Sequence, residues 1–311
     1  MKYFKTLLLL GICFCLTSCE HVEKEAYFSF TLTCEDQNGI HSEVYHFGLI
    51  DEGISKITDI PYTSQYPLTV YDKQNNFVYY SAKDETGKAD QMFYYDVETK
   101  KSRKLTKDFF AINYIIPYDA KIFIAGVVKG SEYIAVRPFL YDIETETLQD
   151  LTWDEDLHLS VINFDPLNRE FILSGYSASD DSKRIQNQDH IAYKPGLNTV
   201  IKFKDDDHSI LYETDGVEIQ SAVSNQGKYY ISEDHNTIYK IEGSKKSKEL
   251  LSGDAMIYFE SVVHITEDER YIYYFNGSGL YKYDTEKRVN YELFKDERDN
   301  CTINNAQFLI A

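Results

Sequence analysis

Three aspartate–histidine pairs, Asp189–His190, Asp207–His208 and Asp234–His235, are the first residues here that could do metal chemistry. Imidazoles and carboxylates ligate transition metals only where several converge within a few ångströms. These pairs fall at different levels of separate units, in turns or at strand starts, so no metal site is expected from them. Asp favours turns for reasons of its own. The acidic runs Asp154–Leu157 and Asp205–Asp207 offer oxygen ligands for calcium. Neither has the spacing of a dedicated calcium loop, and both read as solvated turns. The nucleophile elbow G-x-S-x-G, the zinc motif H-E-x-x-H, a phosphate-binding Walker loop and a dinucleotide fingerprint are all missing. No cofactor is implied.

The elements that must position any site come from a repeat. Tyr94–Thr106 and Leu140–Thr152 place Asp96 and Asp142, Thr99 and Thr145, and Leu105 and Leu151 in equivalent positions. Lys282–Leu293 is a third copy, with Asp284 in the same role. A period of roughly 40 to 50 residues marks a repeat array. Each copy reads as an aromatic strand, a turn on Asp and Thr, and a short strand ending in Leu. Weaker copies complete the series at Asp51, Asp96, Asp142, Lys204, Glu242 and Asp284. Six repeats predict six four-stranded blades.

The inner half of each blade is expected to turn at Asp72–Asn76, Tyr118–Lys121, Asp165–Arg169, Ser224–Lys228 and Thr266–Arg270. Asn, Asp, Gly and Pro are the residues tight turns use. SNQGKYY (Ser224–Tyr230) and TEDERYIYY (Thr266–Tyr274) resemble the S-P-D-G-K turn of TolB-like propellers, in degenerate form, and the Leu-Thr endings resemble that family too. The resemblance implies an all-β, six-bladed β-propeller over residues 26–311. The S-x-D-x-G-x-T-W box of sialidase propellers is absent, and Trp153, the one Trp, excludes the multiple-tryptophan docking of quinoprotein propellers.

A sixth inner turn is missing. After Leu293 only Thr302–Ile310 remains as strand, while residues 26–58 supply three. One blade is therefore shared by both termini, which closes the ring and removes sheet edges. In that blade Cys301 precedes the last strand and Cys34 ends its antiparallel neighbour, within disulfide reach in an oxidising compartment. The period stretches from Asp142 to Lys204, and the excess lies in Gly175–Leu197, whose polar first half reads as a loop or hairpin. No helix-period segment is evident past the N-terminus.

Propellers bind at the mouth of the central channel, where the inner strands start. Blade alignment puts Tyr66, Asn113, His158, Ser160, Gln220, Glu260, Ser261 and Asn305 there as ligand-binding candidates. Channel water or backbone satisfaction accounts for any one of them equally well. His158 and His264 read as channel or packing residues. No residue is assigned a catalytic role.

Residues 1–18 read as a signal peptide: Lys2 and Lys5, then the apolar run Leu7–Leu16, too short to cross a bilayer that needs about 20 residues. LTSC (Leu16–Cys19) resembles the bacterial lipoprotein box, which implies lipidation at Cys19. Residues 19–25 would be the tether, and their acidic stretch resembles export tethers of Bacteroidetes surface lipoproteins. Glu20 is not the Asp of inner-membrane retention, so a cell-envelope location on the outer membrane is expected. Cleavage removes two lysines and takes the formal charge from −19 to −21. A chain this acidic repels phosphate backbones, which argues against nucleic acid as partner. Two functional readings stay open. One is a non-catalytic binder or scaffold for a glycan, peptide or envelope protein; the other is a polysaccharide lyase or hydrolase of propeller fold.

Overall fold

The computed structural model describes residues 25–37, 39–63, 68–131, 134–187, 194–205, 207–255 and 257–311. The signal sequence, Cys19, most of the tether, Tyr66 and His190 lie outside the described residues. The chain is an all-β, six-bladed β-propeller, each blade an antiparallel four-stranded sheet. The inner strands, innermost in each blade, are Cys301–Ile310 (blade 1), Thr69–Asp72 (blade 2), Phe109–Tyr118 (blade 3), Leu157–Asp165 (blade 4), Ser221–Asn225 (blade 5) and Ser261–Ile265 (blade 6).

Burial falls outward along each blade. In blade 3 the second strand, Lys121–Val128, buries every residue from Ile122 to Val127, because neighbouring blades cover both of its faces. In blade 5 the outermost strand, Lys245–Leu251, exposes its first five residues. Tyr and Phe fill the wedges between blades and the faces within them: Phe123 of blade 3 stacks on Phe171 of blade 4 at 4.2 Å, and Phe77 on Tyr94 within blade 2 at 5.0 Å. Large aromatic area suits such gaps. That is the use of the 15% aromatic content.

Five of the six repeat positions end the third strand of a blade: Asp96, Asp142, Lys204, Glu242 and Asp284. Where the residue is Asp, its carboxylate closes the following turn. Asp96 accepts from the N–H of Glu98 and Thr99 at 2.9 Å each, and Asp284 from Glu286 and Lys287 at 3.1 and 3.0 Å. Asp51 departs from the expected equivalence. It sits beyond the strand Gly39–Gly48, in the turn itself, and accepts from Gly53 N–H at 3.0 Å.

Blade 1 is closed as the strand count requires. Cys301–Ile310 lies beside Ala26–Asp36, followed by Gly39–Gly48 and Ile54–Pro61. Cys34 is opposite Cys301, and a disulfide joins them. At the other end of the same strand pair, Ala311 N–H donates to the Glu25 carbonyl at 3.0 Å.

The insertion in blade 4 differs from the expected loop. Ala178–Asn187 is an α-helix between the second and third strands. Ser177 caps it, accepting from Asp180 N–H at 3.0 Å, and Asp156 accepts from Ser179 N–H at 2.8 Å. Arg184 pairs with Asp180 one turn away at 2.6 Å. Caps and charge carry this helix rather than an apolar stripe, which is why hydrophobic periodicity missed it.

Candidate functional site

An inner strand that pairs regularly would alternate its side chains between the two adjoining blades. Four inner strands break that rule with register shifts, leaving Phe110, Asn113, Ser160, Val263 and Asn304 as extra residues. A bulge of this kind re-aims a side chain. Three of the five bulged residues, Asn113, Ser160 and Asn304, line one axial cavity of about 490 Å³. Two glycines permit the close strand approach there. A Cβ on Gly126 would come to 2.6 Å from the Ala111 carbonyl oxygen, and one on Gly175 to 2.6 Å from that of His158.

Asn113, His158, Ser160, Gln220, Glu260, Ser261 and Asn305, seven of the mouth candidates, line this cavity together. Tyr66 lies outside the described residues. Reading from sequence missed Asn304, Gln307, Glu218 and Tyr176, which line it as well. A bulge adds a residue that blade alignment does not anticipate, so the alignment picked Asn305 without Asn304 beside it.

Away from the mouth the axis is obstructed. Gln307 donates across blade 2 to the Ile115 carbonyl at 2.7 Å, and Asn163 donates past blade 5 to the Val262 and Val263 carbonyls at 3.4 Å each. His264, stacked on Phe308 at 3.9 Å, sits at this depth, and burial lowers its pKa to about 4. It is a neutral packing residue.

His158 lines the mouth but its ring is engaged. Nδ1 accepts from Val136 N–H at 3.4 Å, the Ile134 backbone is a second partner, and the ring stacks on Tyr176 at 4.9 Å. Burial lowers its pKa, so it is neutral there. Glu260 differs. It meets solvent through the cavity, yet the surrounding protein displaces enough water to raise its carboxyl, against the Gly277 backbone bond and His235, which lower it.

The described Asp–His pairs do not converge. His208, at the start of the outermost strand of blade 4, stacks on Trp153 at 4.7 Å, and His235 Nδ1 bonds the Phe259 carbonyl at 2.9 Å. His41, Glu43 and Asp59 do converge, but the Lys56 ammonium already bridges Glu43 and Asp59 at 2.7 Å each. Cys34 and Cys301, close to Glu43 and Asp296, carry no free thiolate. A groove of about 700 Å³ on the outer rim of blades 5 and 6 is roomier than the axial cavity. Its Lys248 and Glu269 neutralise one another at 2.6 Å, so the axial cavity is the better candidate.

The architecture recurs in known structures. The propeller solved in a nidogen/laminin complex superposes with a TM-score of 0.58 at 10% identity, over 91% of this chain and 98% of that one. TolB from Acinetobacter baumannii gives 0.54 at 12% identity, over 91% of this chain and 66% of that one. The likeness is one of fold. No family model and no curated protein matches the sequence. Identities this low carry no site residues across, so the propeller's chemistry rests on its own side chains.

Proposed function

We propose that the protein is a lipid-anchored component of the cell envelope that binds a ligand, without catalysis, at the mouth of its axial cavity. The observation that carries this reading is the set of bulges. Asn113, Ser160 and Asn304 leave regular pairing and line one cavity with Gln220, Glu260 and Ser261. Irregular backbone that gathers polar groups at a concave site is the usual mark of binding. The likeness to a chain solved in a nidogen/laminin complex, and to TolB, is in keeping with partner binding. For the anchor the support is the sequence alone: the basic start, the short apolar run and LTSC ending at Cys19. No helix among the described residues is long and apolar enough to cross a membrane.

A second reading has one observation behind it. A carboxyl raised by its surroundings, as at Glu260, suits a general acid in polysaccharide cleavage. A thermal-shift screen of the purified protein against glycans, peptides and divalent metals separates the two. Saturating ligand at 100 times its dissociation constant adds about 2.7 kcal/mol of stability. Binding without turnover supports the binder; release of reducing or unsaturated sugar ends supports the enzyme. Mass spectrometry of the N-terminal peptide tests the anchor, and an unmodified Cys19 retained behind residues 1–18 would refute it.

A further inference from the structure

The cavity wall has a chemical bias. Among the described residues that line it are two carboxylates, Glu218 and Glu260, and no Lys or Arg. Neither carboxylate has an ion-pair partner among the described residues, although the same propeller pairs Glu43, Glu233 and Glu269 with Lys or Arg. The wall amides deepen the bias. Asn305 turns its NH2 group to the Thr69 carbonyl at 3.1 Å, and Gln307 turns its own to Ile115 at 2.7 Å. Each amide is thereby oriented with its oxygen on the other side, and both oxygens are buried without a protein partner. Asn113 Oδ1 is a third such oxygen. These oxygens lie beneath the cavity surface and the NH2 groups of Asn305 and Gln307 are spent on carbonyls, so the accessible bias is that of the carboxylates at the mouth. Phe275 and Tyr176 add aromatic surface, which attracts cations as well as apolar chains.

From this we infer that the cavity takes a protonated amine on an aliphatic stem, its ammonium held by Glu260 with support from Glu218. The inference rests on the binding reading above and names its ligand class. An ammonium is three donors and no acceptor, which complements two carboxylates that have no Lys or Arg beside them. Carboxylate or phosphate ligands meet only repulsion there. The surroundings that raise the Glu260 carboxyl leave its charge poorly compensated, so an arriving cation gains most at that point. Two sources present this chemistry, a free diamine and a lysine side chain on a peptide.

Calorimetric titration of the purified protein with 1,5-diaminopentane and with a lysine-containing peptide tests it, with 1,5-pentanediol and glutarate as isosteric controls. Binding of an amine probe and not of the controls is expected. Glu260→Gln, which keeps shape and removes charge, should weaken it about tenfold or more, as loss of a charge-assisted hydrogen bond does. Glu218→Gln should weaken it less. Tight binding by the peptide alone would assign the lysine source, and equal or better binding by diamine the free one. Equal binding by pentanediol or glutarate, an unchanged affinity in Glu260→Gln, or no amine binding at millimolar concentration would each overturn the inference. A neutral glycan that binds wild type and Glu260→Gln alike, and loses affinity in Asn305→Ala, would leave mouth binding standing while the amine assignment fell. Thermal midpoints of each variant separate misfolding from lost contact.

Discussion

Glu43 and Glu260 are the same side chain in two settings of one ring. Glu43 lies at the closing seam of blade 1, where burial alone would raise its pKa. Arg298 grips it with two bonds of 2.6 and 3.1 Å, Lys56 adds one of 2.7 Å, and together they hold it down to about 2. Glu260 sits at the cavity mouth with no ion pair among the described residues and is raised by its surroundings. Seam charges are compensated within the chain, while the mouth's are left for something else. A polar group paired internally stabilises the fold; one left uncompensated costs stability and is available for binding.

The largest test of that contrast removes the covalent part of the seam. The bridge spans 267 residues, and the loop-entropy model assigns such a closure roughly 4 kcal/mol or more. Cys34→Ser with Cys301→Ser should therefore lower the denaturant midpoint steeply, with reductant giving the same loss in the wild type. An unchanged midpoint would mean that strand pairing alone seals blade 1.

Next comes the ionic clasp. Glu43→Gln should cost about 2 kcal/mol at neutral pH, below the range for a fully buried broken pair because Arg298 and Lys56 keep partial solvent contact. The sign with pH follows from the depressed value. The contribution is complete above the ordinary carboxylate pKa near 4.5 and is lost as pH falls toward 2. Wild type and variant should thus converge in stability on acidification, as urea titrations at pH 7 and pH 3 would show. The gap should narrow but not close at pH 3, which lies between the two values, and a gap undiminished there would shift the effect from charge to packing.

The smallest expected effect is at the mouth. Glu260→Gln removes a charge the fold does not compensate, so stability at pH 7 should hold or rise by a few tenths of a kcal/mol. The raised pKa gives the opposite pH sense to Glu43: the native penalty fades as pH falls through the folded value. A clear loss of stability in this variant would make Glu260 a structural residue and erase the contrast.

Much of the ring was legible in the sequence because blade geometry repeats locally. The turns at Asp72–Asn76, Tyr118–Lys121, Asp165–Arg169, Ser224–Lys228 and Thr266–Arg270 all join first to second strands. The aspartates of the outer turns announce themselves because their carboxylates do the same hydrogen bonding each time. The helix Ala178–Asn187 was hidden because it buries no stripe, although Ser177-Ala-Ser-Asp180 has the spacing of an N-terminal cap. Arg298 and Glu43 are 255 residues apart, a pairing that follows only from the closed ring. Asn304 escaped because a bulge is set by strand pairing and not by residue type.

If Cys19 carries a lipid as proposed, the hydrogen bond from Ala311 to Glu25 would decide how the molecule stands on a membrane. Inner strands run away from the mouth, so Ile310 and its partner Ala26 mark the opposite face of the disc. A leash leaving from Glu25 emerges there. The six residues from Glu20 to Glu25 extend at most about 20 Å. A lipid on Cys19 would then hold the disc close to the bilayer by its back, with the opening of the ring turned outward, toward whatever the compartment or the medium brings.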